Sequence, residues 1–176
     1  MKRLLMLLAL AATSMANTAL GQDAMKDCPM HAQHQGAKHQ ESKPEMDKRG
    51  AVGMGFSQET TTHHFLLRKD GGAIQVTANS AEDKASVAQI RKHFEHISRA
   101  FQAGDFDIPM FVHEQTPPGV PAMKKLKDKI QYKYEELEGG ARVSITSGNA
   151  EAIEAIHQFL RFQIQEHETG DPQELK

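Results

Sequence analysis

The chain has 176 residues, a formal net charge of −2, ten His, nine Met, one Cys and no Trp. That length suits one ordinary domain, and the slightly acidic balance argues against electrostatic binding of nucleic acid. The missing Trp and an aromatic content of 6% leave little for a carbohydrate-stacking platform. Cys28 is alone, so it is free, pairs with another chain, or binds a metal.

In chain order, Met1 to about Gly21 reads as a cleavable signal peptide. Lys2 and Arg3 give a basic start, Leu4 to about Ala12 an apolar run, and small residues follow. Ala19-Leu20-Gly21 is the expected cleavage site, with Ser14-Met15-Ala16 as its rival. The run is shorter than the about 20 apolar residues that span a bilayer. Cys28 lies several residues too late for a lipid anchor. A periplasmic or secreted product without a membrane span is therefore expected, with a net charge of about −4 once Lys2 and Arg3 are subtracted from −2.

Residues 22–53 are rich in Lys, Gln, His, Gly and Ala, with no apolar period. Such a stretch buries too little surface to offset its ordering entropy, which predicts a flexible tail.

From Phe56 the pattern becomes regular. His63–Leu67 and Ala73–Ala78 are strand candidates around Lys69-Asp70-Gly71-Gly72, a strong hairpin signal. A helix follows, with Asn79 or Ser80 as N-cap, Glu82 and Asp83 in its first turn, and Gly104 at its end. Its stripe is Val87, Ile90, Phe94, Ile97 and Phe101, stepping by three and four. The same order then returns. Ile130–Tyr134 and Ala141–Thr146 flank Glu138-Gly139-Gly140, and Asn149 caps a helix with the stripe Ile153, Ile156, Leu160 and Ile164, closed by Gly170. These halves, about 56–105 and 128–171, predict an α+β fold: a duplicated ββα unit, with a four-stranded mainly antiparallel sheet and two helices on one face. The Pro-rich connection 106–127 is longer than ordinary loops, and its apolar residues predict that it packs on the domain. A short helix is expected from Pro121 to about Lys129.

His and Met are the compositional oddity, and in the mature chain they cluster. In the tail, Cys28, Met30, His31, His34 and His39 combine thiol, thioether and imidazole donors, a set that suits Cu(I), Ag(I) or Zn. The competing explanation is a solvated linker in which the His are incidental. Cys28-Pro29-Met30-His31 resembles the Cys-Pro-Met-His core of heavy-metal-binding segments in copper-transporting ATPases and copper-efflux adaptors. The aromatic residue usual before that core and the Pro usual after it are absent here.

In the folded part, His63 and His64 are consecutive on a strand and point to opposite faces. His93 and His96 are three apart on a helix, so a third ligand, from His113 with Met110 or from His63 or His64, would complete a site. In repeat register they align with Phe159 and Phe162, which makes a structural stripe an equal reading. His157 and His167 read as satisfied core or cap residues.

Catalytic patterns are mostly absent. His93-Phe94-Glu95-His96 has the wrong spacing for the His-Glu-x-x-His zinc motif, and there is no nucleophile elbow, P-loop or Rossmann fingerprint.

Across Met54 to Asp171, the segments Met54-Gly55-Phe56, Thr62-His63-His64-Phe65, Pro117-Pro118-Gly119-Val120-Pro121-x-Met123 and His157-x-Phe159-Leu160-Arg161-Phe162-Gln163 carry a second resemblance. The chain is similar to an uncharacterised family of small secreted bacterial proteins, sometimes labelled aspartate carbamoyltransferase. That label does not fit. The Ser-Thr-Arg-Thr carbamoyl-phosphate loop is missing, and one Cys cannot build the four-Cys zinc module of the regulatory chain.

The expectation is an exported metal-handling protein, copper first and zinc second. Its candidate ligands are Cys28, Met30, His31, His34, His63, His64, His93, His96 and His113, and another periplasmic protein is a candidate partner. The alternatives are a metal-independent binding module for a small ligand or protein and, further off, a His-metal-dependent enzyme. The balance leans away from an enzyme.

Overall fold

Two runs of alternating residues close into hairpins because each meets a short polar turn. In the computed structural model, which describes residues 43–175, β1 (Thr61–Arg68) pairs antiparallel with β2 (Gly71–Ala78), leaving Lys69 and Asp70 at the tip. Later, β3 (Ile130–Leu137) pairs with β4 (Gly140–Ser147) around Glu138 and Gly139. The hairpins join antiparallel through β2 and β4, so the sheet order is β1-β2-β4-β3. Period two then sorts the side chains. Phe65, Ile74, Val76, Val143 and Ile145 share the inner face and are buried, while Gln75 and Arg142 meet on the outer face.

Each hairpin is followed by a long helix, α2 (Lys84–Ala103) and α5 (Ala150–Glu166). In α2 the expected stripe is buried along its whole length, and in α5 Ile156, Leu160 and Ile164 are buried too. Each such side chain contributes roughly 1.5–3 kcal/mol on leaving water. The helices cross over. α2 packs mainly on β3 and β4, and α5 mainly on β1 and β2, so one core serves both hairpins. The α+β architecture with its antiparallel sheet is as expected.

Local boundaries differ: α5, expected to close at Gly170, ends at Glu166 with His167 as its C-cap. The cap of α2 is Asp83, whose carboxylate accepts from the Ser86 N–H at 3.0 Å. Asn79 is occupied instead between Thr62 and the Glu59 carbonyl, holding the entrance of β1 to the exit of β2. Part of the expected flexible tail is the helix α1 (Lys43–Met54). It lacks an apolar period because it is held otherwise: Met46 and Gly50 are buried, and the Arg49 guanidinium donates twice to the Val112 carbonyl, at 3.0 and 2.8 Å. The long connection contains α3 (Asp107–His113) and α4 (Val120–Lys125), followed by a 3₁₀ turn at Lys127–Lys129, rather than one helix from Pro121. Pro109 and Pro121 sit in the first turns of α3 and α4, where a missing N–H costs no helical hydrogen bond. As expected, the connection packs down: Phe106, Val112, Val120 and Met123 are buried. Among the described residues no helix is long and apolar enough to cross a membrane.

Candidate functional site

Four imidazoles from four elements line one cavity of about 60 Å³. His63 reaches it from the inner face of β1 and His93 from α2. His113 is the last residue of α3, and His167 follows the last turn of α5. The rest of the wall is apolar, including Phe65, Ile97, Val112 and Phe159, with the Met54 thioether and the Gln163 amide as the other heteroatom side chains. Among the described residues no carboxylate or ammonium lines it.

The rings form an arc. His93 meets the Phe56 ring edge-on at 5.7 Å between centroids, and Phe56 stacks on His63 at 5.9 Å. His63 lies parallel to His167 at 5.8 Å, and His167 meets His113 at 5.1 Å and 82°. Hydrogen bonds fix two tautomers, because a glutamine oxygen only accepts. His113 Nε2 donates to Gln163 Oε1 at 3.0 Å, leaving Nδ1 as its lone-pair nitrogen. His167 Nδ1 donates to Gln58 Oε1 at 3.1 Å, leaving Nε2. His63 Nε2 and Gln163 Nε2 are buried with no hydrogen-bond partner among the described residues.

Burial sets the charge state. Removal from water pushes His63 down from 6.5 to about 4, with a smaller push from His64. His93 falls to about 4 for the same main reason, helped by His96 and His63. His167 lies well below its ordinary value, through burial first, then His113, His63 and Lys43. At neutral pH these three rings are uncharged, the form in which imidazole is a metal ligand.

Two neutral imidazoles on one ion have ring centroids within about 6 Å, given metal–nitrogen bonds of about 2.0–2.1 Å. The separations of 5.1 and 5.8 Å meet that condition. The tilts do not: in the stacked His63–His167 pair, 2° from parallel, the lone pairs lie in separate parallel planes. Among the described residues no three His, Cys, Asp or Glu stand as a ready-made metal group. Convergence on one ion needs the rings to turn about the broad outer torsion of His, and His63, whose Nε2 has no hydrogen bond to release among the described residues, is freer to do so than His113 or His167.

Of the expected ligands, His63, His93 and His113 come together. His64 and His96 do not join them. His64 points away and pairs with Asp171 through Nδ1 at 2.9 Å. His96 is exposed, because the edge of the buried stripe falls between it and His93. Cys28, Met30, His31, His34 and His39 lie outside the described residues. His157, read as satisfied, donates through Nε2 to the Arg68 carbonyl. His167, read the same way, is the C-cap of α5 and bonds Gln58, and it is also the fourth ring of the cavity. The sequence signal that could have found it was a second His late in a helix whose partner strand carries His63.

Compared with protein-family models, curated proteins and solved structures, the chain matches none.

Proposed function

We propose that this is an exported metal-handling protein, for copper first and zinc second, in which the imidazole-lined cavity is the holding site of the folded domain. One observation carries the reading: His63, whose Nε2 is buried and unpartnered among the described residues, lines a cavity with His93, His113 and His167. A buried polar atom left without a partner costs about 1–3 kcal/mol, and a bound ion would recover that cost. The donor chemistry fits. Neutral imidazole nitrogens and a thioether suit copper and zinc far better than magnesium or calcium. His113 and His167 also donate their other ring N–H to glutamine oxygens, the arrangement that orients metal-binding histidines and raises their basicity. The ion's chemistry would be Lewis acidity or transfer, and the chain's part is to hold it away from water. Tail residues Cys28, Met30, His31 and His34 would capture or pass the ion.

Isothermal titration of the chelator-stripped full chain with Cu(I), Cu(II) and Zn(II) tests this. With the tail ligands replaced (M25L, C28S, M30L, H31A, H34A, H39A), about one ion per chain should still bind, and adding His63→Leu should abolish it. Tail-replaced protein that binds no ion would remove the cavity from the reading.

A second reading, a small uncharged ligand, is favoured by the Gln163 amide, whose Nε2 also lacks a partner in the cavity. It predicts function untouched by metal removal or tail deletion.

A further inference from the structure

Resting on the reading of the cavity as a metal site, we propose that it is built for a monovalent soft cation of the Cu(I) class, with the Met54 thioether among its ligands. Charge is the first argument. Among the described residues every polar group that lines the cavity is an imidazole or an amide, so this wall offers no anion to offset a buried charge. The cost of taking an ion out of water grows with the square of its charge. A dication therefore costs about four times as much as a monocation of equal size to bury here.

Softness is the second argument. Thioether sulfur favours Cu(I) over hard or borderline dications. Met54 is the last residue of α1 and lines the same cavity as the four rings. Its position is set from two sides. Arg49, one turn earlier, is tied to the Val112 carbonyl on α3, and Gly53 packs against the Phe111 ring. The helix that brings Met54 is thus fastened to the helix that ends in His113.

Coordination number is the third. Zinc in protein sites takes four ligands in a tetrahedron. Cu(I) is satisfied by two or three, and the spacings of 5.8 Å for His63–His167 and 5.1 Å for His167–His113 lie within the reach of a two-imidazole ion.

The test uses the full chain carrying M25L, C28S, M30L, H31A, H34A and H39A, so that the tail's thiol, thioether and imidazole ligands are removed and the folded domain's are read. Cu(I) is measured by competition with a colorimetric chelator, Ag(I) as a redox-inert probe, and Zn(II) by calorimetry. Cu(I) and Ag(I) should bind at least about 100-fold more tightly than Zn(II). Met54→Leu, close to isosteric and checked for native circular dichroism, should weaken both about tenfold and leave Zn(II) unchanged. Zn(II) binding as tight as Cu(I) overturns the selection by charge while leaving a metal site in place. Undiminished Cu(I) binding by the Met54→Leu protein overturns the thioether ligand. Absence of binding by any of the three ions overturns the metal reading itself.

Discussion

Mild acid should unfold the metal-free protein well before ordinary carboxylates titrate. In the unfolded chain His63 and His93 take up protons below 6.5, whereas in the folded chain they do so only near 4. The unfolded state thus binds more protons throughout that window, and stability is full above pH 6.5 and falls as the pH drops. Each ring accounts for about 2 kcal/mol at pH 5 and about 3 kcal/mol at pH 4. Together they remove about 4 kcal/mol at pH 5, from a total of roughly 5–15 kcal/mol for a domain. His167 adds to the loss in the same direction. The groups facing these rings are His64, His96, His113 and Lys43, and none is an anion that would rescue a protonated ring. The carboxylates held low, Glu45, Asp83 and Glu135, keep their full stabilising effect above their unfolded values of 3.8–4.5 and lose it only below them, a separate window. Urea unfolding of chelator-stripped protein, followed by far-ultraviolet circular dichroism because there is no Trp, should give midpoints that fall steadily from pH 7.5 to 5. His93→Leu should remove about 2 kcal/mol of the loss at pH 5. Equal midpoints at pH 7.5 and pH 5 would refute the claim that these rings are buried and neutral.

Three further outcomes follow from the packing. His63→Leu trades an unpartnered nitrogen for an apolar group, so at pH 7 the metal-free protein should be as stable as the wild type or more so, by urea midpoint, while losing metal; clear destabilisation would contradict this. Asp171→Ala removes the carboxylate that accepts from the Phe65 N–H at 2.9 Å and pairs with His64 on the edge strand. It should cost about 1–3 kcal/mol and speed hydrogen exchange at Phe65; unchanged exchange would refute the edge-closing role. Gly119→Ala forces a side chain onto a φ of +83° and against the Ala155 carbonyl of α5. A loss of about 2–4 kcal/mol is expected in denaturant titration, and a neutral effect would show that α4 does not approach α5 that closely.

The sheet and long helices were legible because each is governed by one local period. Alternation placed Phe65, Ile74, Val76 and Val143 on one face, and steps of three and four picked out Ile90, Phe94 and Ile97. Asn149 was readable as a cap because its carboxamide reaches only three residues, to the Ala152 N–H. α1 was not legible, since it is stabilised by a contact 63 residues away, from Arg49 to Val112. The site was legible by half. Strand parity separated His63 from His64, but helix spacing suggested pairing His93 with His96, and only the packed core shows that one is covered and the other is in water. His167 was passed over because its neighbours His63 and His113 come from β1 and α3, and their meeting is a tertiary event.

The most direct measurement is the ring-nitrogen NMR spectrum of the ¹⁵N-labelled full chain titrated with Ag(I). The account predicts that His63 Nε2 and His167 Nε2 move by many parts per million towards metal-bound values as the first ions fill the fold. Shifts confined to His31, His34 and His39, with the cavity rings unmoved at saturation, would contradict it.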